Sequence, residues 1–117
     1  LDAQVRWMLD NGGMDFAAGR SAESAAILYG WADARDWANP FVADPSMRSN
    51  VVGTIDVDDA IDATTINQVL AANGVLDTFA YRKPGRNQLR IAMFPATDPS
   101  DVDALTRSID HVVDALT

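Results

Sequence analysis

The sequence predicts an α+β domain: a small, three-stranded, mainly antiparallel sheet with helices on one face, in the order α-α-β-α-β-β-α. Three observations carry this. Val102, Leu105, Ile109, Val112 and Leu116 recur at offsets 0, 3, 7, 10 and 14 behind an Asp98-Pro99 start, which is the period and the opening of a helix. Asn50 to Val57 is rich in β-branched residues, with Val51, Gly53, Ile55 and Val57 on one side and Val52 and Thr54 on the other. From Gln88 to Phe94 the apolar residues Leu89, Ile91 and Met93 alternate with Arg90 and Ala92, the two-residue period of a strand with one buried face.

The remaining elements follow in chain order. Leu1, Val5, Met8 and Leu9 recur at helical spacing with no capping residue ahead of them, so a helix is expected to begin before Leu1, and the chain reads as the C-terminal piece of a longer one. Asn11-Gly12-Gly13 closes that helix, since glycine takes the left-handed conformation of a helix end without steric penalty. A second helix is expected from about Asp15 to Arg35, burying Met14, Ala18, Ala25, Leu28 and Ala32, with Tyr29, Trp31 and Trp37 widening the face. Asn39 to Pro45, with two prolines, reads as a loop. A third helix spans Ile61 to Leu70, capped by Asp62 and ended by Asn73-Gly74. Strands at Asp77–Arg82 and Gln88–Phe94 are expected to form a hairpin around Lys83-Pro84-Gly85-Arg86-Asn87.

Composition narrows the function. The chain has 117 residues, with 17 acidic and 9 basic side chains and a formal charge of −8, which argues against nucleic-acid or anionic-membrane binding. The 48% apolar share is enough for one self-sufficient domain. With no cysteine, disulfides, thiol catalysis and sulfur-liganded zinc are excluded, and a single histidine makes a histidine-based metal site a poor reading of His111. No apolar run approaches the ~20 residues of a membrane span, and no signal-like segment is visible, so a cytoplasmic location is expected. The run Asp56, Asp58, Asp59 and Asp62 lacks the glycine and terminal glutamate of a calcium loop and reads as a turn with a helix cap.

Charge placement supplies the site candidate. Arg82, Lys83, Arg86 and Arg90 fall within nine residues, and no acidic residue occurs between Asp77 and Asp98. In so acidic a domain this is a candidate anion site; the other reading is a solvated hairpin whose arginines pair with surface aspartates. Arg90 stands apart because strand alternation turns it away from the face of Leu89, Ile91 and Met93. Its planar fork matches a carboxylate or phosphate with two parallel hydrogen bonds, and an interface arginine paired with an aspartate is the alternative. Lys83 is the only lysine, and its place beside Pro84 in a basic loop marks an exposed ammonium rather than a Schiff-base former.

The run from Gly85 to Pro95 (GRNQLRIAMFP), with the acidic cap and helix from Val102 to Leu116, resembles the C-terminal end of phosphoserine aminotransferases, above all those of actinobacteria. Gln4–Gly13 (QVRWMLDNGG) and Met47–Asp56 (MRSNVVGTID) are similar to the same family in the same order. The resemblance implies residues 1–117 of an aminotransferase C-terminal small domain, with 1–13 ending an interdomain helix and 14–117 forming the α+β core. It implies a class V, fold-type I enzyme dependent on pyridoxal phosphate, making phosphoserine and 2-oxoglutarate from 3-phosphohydroxypyruvate and glutamate in serine biosynthesis. It further implies a homodimer, a missing N-terminal domain holding cofactor and lysine, and no catalytic residue, cofactor or activity in this chain alone. Arg90 matches the family's α-carboxylate arginine. The His-Arg pair that many members carry seven and six residues before it is Lys83-Pro84 here, so the phosphate role passes to Arg82, Lys83 and Arg86. The small domain of another class V aminotransferase, or a stand-alone anion-binding or oligomerisation module, are the alternatives.

Overall fold

A computed structural model describes residues 1–81 and 85–117. Helix α1 runs over Asp2–Asp10 and α2 over Gly13–Asp33; a short strand β1 (Ala38–Pro40) and a single 3-10 turn (Pro45–Met47) lead to β2 (Val52–Val57). Then come α3 (Ala63–Ala72), β3 (Gln88–Ala92) and α4 (Pro99–Leu116). The strands form one antiparallel sheet in the order β1-β2-β3, with Ala38 opposite Val57 and Thr54 opposite Arg90. The expected fold class is therefore present, with its third strand drawn from a different segment.

That difference has a physical cause at each end. Asp77 takes a backbone φ of +66°, which breaks the extended run expected from Asp77 to Arg82. The part of it within the described residues makes one isolated bridge, Phe79 to Leu89, and one backbone bond, from Arg90 N–H to the Thr78 carbonyl at 3.1 Å. The third place in the sheet goes instead to Ala38–Pro40, read from its prolines as loop. An edge strand accepts proline at its end because no ladder hydrogen bond is needed there, and Phe41 N–H resumes the pairing to the Thr54 carbonyl at 2.9 Å.

One face of the sheet, with Gly53, Ile55, Val57, Leu89, Ile91 and Met93, is buried, with α2 against β1 and β2 and α3 against β3, while α4 packs on α2 and α3. On α2 the buried stripe is Ala17, Ser21, Ser24, Ala25, Leu28, Trp31 and Ala32. Met14, expected in that stripe, is 80% exposed, and Ala18 is exposed too; both lie in the first turns of α2, where α1 is the neighbouring helix. On α4 the exposed Leu116 gives way to Thr106 and Val113 as buried positions beside Val102, Ile109 and Val112. Trp31 packs edge-on against Trp37, and its ring N–H donates to Asp110, which also holds Arg35, tying α2 to α4.

Aspartate caps start α3 and α4 as the sequence predicts. Asp62 accepts from Thr64 N–H at 3.0 Å, and Asp98 accepts from Ser100 N–H at 2.9 Å. Asp58 accepts from Ala60 N–H, so the acidic run is used as turn and cap, and among the described residues no group of three acidic or histidine side chains is placed to hold a metal. No helix is long and apolar enough to cross a membrane among those residues.

Candidate functional site

The sheet face away from the helices carries Thr54 and Asp56 from β2 beside Arg90 and Gln88 from β3, because alternation puts the partners of one pleat on one side. At the β3 edge a cleft of about 710 Å³ opens between the first turns of α3, the segment Phe79 to Tyr81 and the segment Gly85 to Arg90. Arg90, Arg86, Tyr81 and Asn67 line it.

The two arginines are in different states. Arg86 is held by a two-pronged contact to Asp56, Nε to Oδ1 at 3.2 Å and Nη2 to Oδ2 at 2.7 Å, and lies over the Phe41 ring at 4.9 Å. Gln88 donates a further hydrogen bond to Asp56 at 2.7 Å. For Arg86 the structure shows the pairing with a surface aspartate that was the alternative to a free anion ligand. Arg90 makes no side-chain hydrogen bond or ion pair among the described residues; its guanidinium carbon sits 4.0 Å from the centre of the Tyr81 ring. Its neighbours along the strand, Leu89 and Ile91, are buried, while Arg90 is only partly covered. Arg82 and Lys83, the other two cluster members, lie outside the described residues.

Asn87 anchors this corner and escaped the sequence reading. Its side-chain oxygen accepts from Ala63 N–H at 2.9 Å, and its amide nitrogen faces the carbonyls of Val57, Asp58 and Ile61 at 3.0, 3.1 and 2.7 Å. One residue thus joins the start of β3 to the end of β2 and the start of α3. The only local signal is an asparagine directly before a strand, which does not reveal partners 24 to 30 residues away. Tyr81 and Gln88 carry no assignment in the sequence, and Asp56, expected as part of an acidic turn, lies instead in β2, because its partners Arg86 and Gln88 come from across the strands. His111 is exposed on α4, away from the cleft.

Electrostatics make the corner acid-sensitive. Burial pushes the Asp56 carboxyl up, but hydrogen bonds from Arg86 and Gln88 and the Arg86 charge outweigh it and hold the group below its ordinary 3.8. Asp62 and Asp98 are also held low, chiefly by the hydrogen bonds from Thr65 and from the Ser100 backbone. A carboxylate depressed in the fold stabilises above its unfolded pKa and ceases to do so as pH falls through the folded value. Urea midpoints are therefore expected to stay level between about pH 7 and about pH 5 and to drop below about pH 4, with a shallower drop in Asp56→Asn. A midpoint that is level down to about pH 3 in the unaltered chain contradicts this linkage.

The fold is a known α+β domain, and it has counterparts among solved structures. It superimposes on phosphoserine aminotransferase from Bacillus circulans subsp. alkalophilus with a TM-score of 0.85 at 17% identity, covering 96% of this chain and 30% of that one. In sequence the chain is homologous to a C-terminal portion of phosphoserine aminotransferases. It is 58% identical over 116 residues to the phosphoserine aminotransferase of Rhodococcus opacus, covering 99% of this chain and 31% of that protein. With that of Corynebacterium glutamicum it is 58% identical over 114 residues, 97% of this chain and 30% of the relative. The chain thus spans about 30% of the length of the curated relatives it matches. No protein-family model matches it.

Proposed function

We propose that this chain is the substrate-binding C-terminal portion of a pyridoxal-phosphate-dependent phosphoserine transaminase, exchanging an amino group between glutamate and 3-phosphohydroxypyruvate in serine biosynthesis. The observation that carries this reading is 58% identity across 116 residues to a phosphoserine aminotransferase. In this reading pyridoxal phosphate, held by the upstream portion, supplies the electron sink for amino transfer. The present residues bind and orient. Arg90, without a carboxylate partner among the described residues, takes the substrate α-carboxylate on its fork and fixes one end of the molecule. Arg82, Lys83 and Arg86 serve the phosphate. For Arg86 this means exchanging Asp56 for the phosphate, since the same two nitrogens are engaged.

Residues 1–13 form the end of the helix leading from the upstream portion, and 14–117 the small-domain core. This division is supported by α1, which buries no residue and leaves Leu9 65% exposed for a covering surface. The complete enzyme is a cytoplasmic homodimer, the second subunit being the source of one of the two cation sites.

The test uses the complete gene product, assayed for amino transfer from phosphoserine to 2-oxoglutarate. Turnover is expected, and its absence sinks the reading. In that enzyme, Lys83→Glu or Arg86→Glu raises KM for phosphoserine about tenfold and KM for glutamate much less, because only one substrate carries a phosphate. Equal losses for both would make the cluster general electrostatics rather than phosphate recognition.

A further inference from the structure

We propose that Tyr81 is the positioning residue for Arg90: its ring face seats the guanidinium so that the hydrogen-bonding edge stays free for a ligand carboxylate. The inference rests on the reading of Arg90 given above and adds to it the part that fixes the fork. Four observations combine. Arg90 lies closer to an aromatic centre, 4.0 Å, than any other described arginine, the next being Arg86 over Phe41 at 4.9 Å. It has no side-chain hydrogen bond or carboxylate within 4.0 Å among the described residues, so the ring is the contact that orients it. By contrast Arg86, Arg35 and Arg20 each combine an aromatic neighbour with a carboxylate that already occupies the fork. Finally, Tyr81 and Arg90 line the same cleft, with Tyr81 60% exposed.

The chemistry follows from the shape of the group. A guanidinium donates in its own plane and is attracted by the negative face of an aromatic ring, so a ring against its flat side removes rotamers without consuming a donor. An aspartate partner would fix Arg90 equally well but would have to be displaced by every substrate. The backbone supports the arrangement: Arg90 N–H donates to the Thr78 carbonyl and Phe79 bridges to Leu89, which keeps the segment leading to Tyr81 alongside β3.

Two measurements test this. In the nitrogen-15 spectrum of the 117-residue chain, the Arg90 side-chain signals are expected to show a ring-current shift that survives Tyr81→Phe and disappears in Tyr81→Leu. In the complete enzyme, Tyr81→Leu raises KM for glutamate and for phosphoserine about threefold to fivefold with kcat retained, and Tyr81→Phe restores both. Because Tyr81 is largely exposed, neither variant should unfold the protein. Unchanged KM in Tyr81→Leu, beside a raised KM in Arg90→Ala, overturns the inference and leaves the carboxylate clamp standing. A loss in Tyr81→Phe as large as in Tyr81→Leu overturns it too, because the hydroxyl rather than the ring face would then be at work. If Arg90→Ala is also silent, the clamp itself is wrong and the positioning role falls with it.

Discussion

Arg90→Ala in the complete enzyme is expected to lower kcat/KM by about one to two orders of magnitude for glutamate and phosphoserine alike, while leaving the fold nearly unchanged. Both proposed substrates share the α-carboxylate, and a hydrogen bond between charged groups contributes about 1.5 to 3 kcal/mol, so one lost fork accounts for the size of the effect. Stability is spared because Arg90 holds no ion pair among the described residues and sits on the face of β3 opposite the buried Leu89 and Ile91. Arg90→Lys should recover part of the loss, since an ammonium keeps the charge but not the planar fork. Wild-type kinetics with both substrates in Arg90→Ala would put the clamp elsewhere. Loss of the folded state in that variant would make Arg90 a structural residue.

The largest effect on stability is expected at the crossing of α2 over the sheet. Leu28 is fully buried, and it fills the space above Gly53, where an added Cβ would stand 2.2 Å from Leu28 Cδ2 and 3.3 Å from Met93 Cε. Leu28→Ala should destabilise by about 2 to 5 kcal/mol, through lost apolar burial together with the cavity left between helix and sheet. Gly53→Ala should cost about 1 to 3 kcal/mol by overpacking, because a fully buried leucine has little room to change rotamer. The two changes share one space, so in the double variant the added methyl occupies part of the cavity and the combined loss is smaller than the sum. Denaturant unfolding of the four proteins of this cycle measures the coupling, and strict additivity would show that Leu28 and Gly53 do not compete for that volume.

Much of this architecture could be read from local residues alone. Asp62 and Asp98 as helix caps, Asn73-Gly74 as a helix end and the alternation of Leu89, Ile91 and Met93 each depend on neighbours a few positions away, and local conformational preference and periodicity report such relations directly. The separation of Arg90 from the core face is of the same kind, because one strand's period decides it. Other features needed the folded chain. Whether Ala38–Pro40 or Asp77–Arg82 completes the sheet turns on an edge position that tolerates proline and on the positive φ of Asp77, neither of which a β-propensity can express. Arg86 and Arg90 lie four residues apart in one basic cluster, and strand alternation separates Arg90 from the core face without saying which of the two has a carboxylate partner. Only the antiparallel register, which sets Asp56 beside Gln88 within reach of Arg86 and leaves Arg90 over Tyr81, pairs one arginine within the fold and leaves the other without a carboxylate partner among the described residues. Cross-strand neighbours are chosen by pairing and packing over some 30 residues of chain, and it is that long-range selection which separates the two arginines of the candidate site.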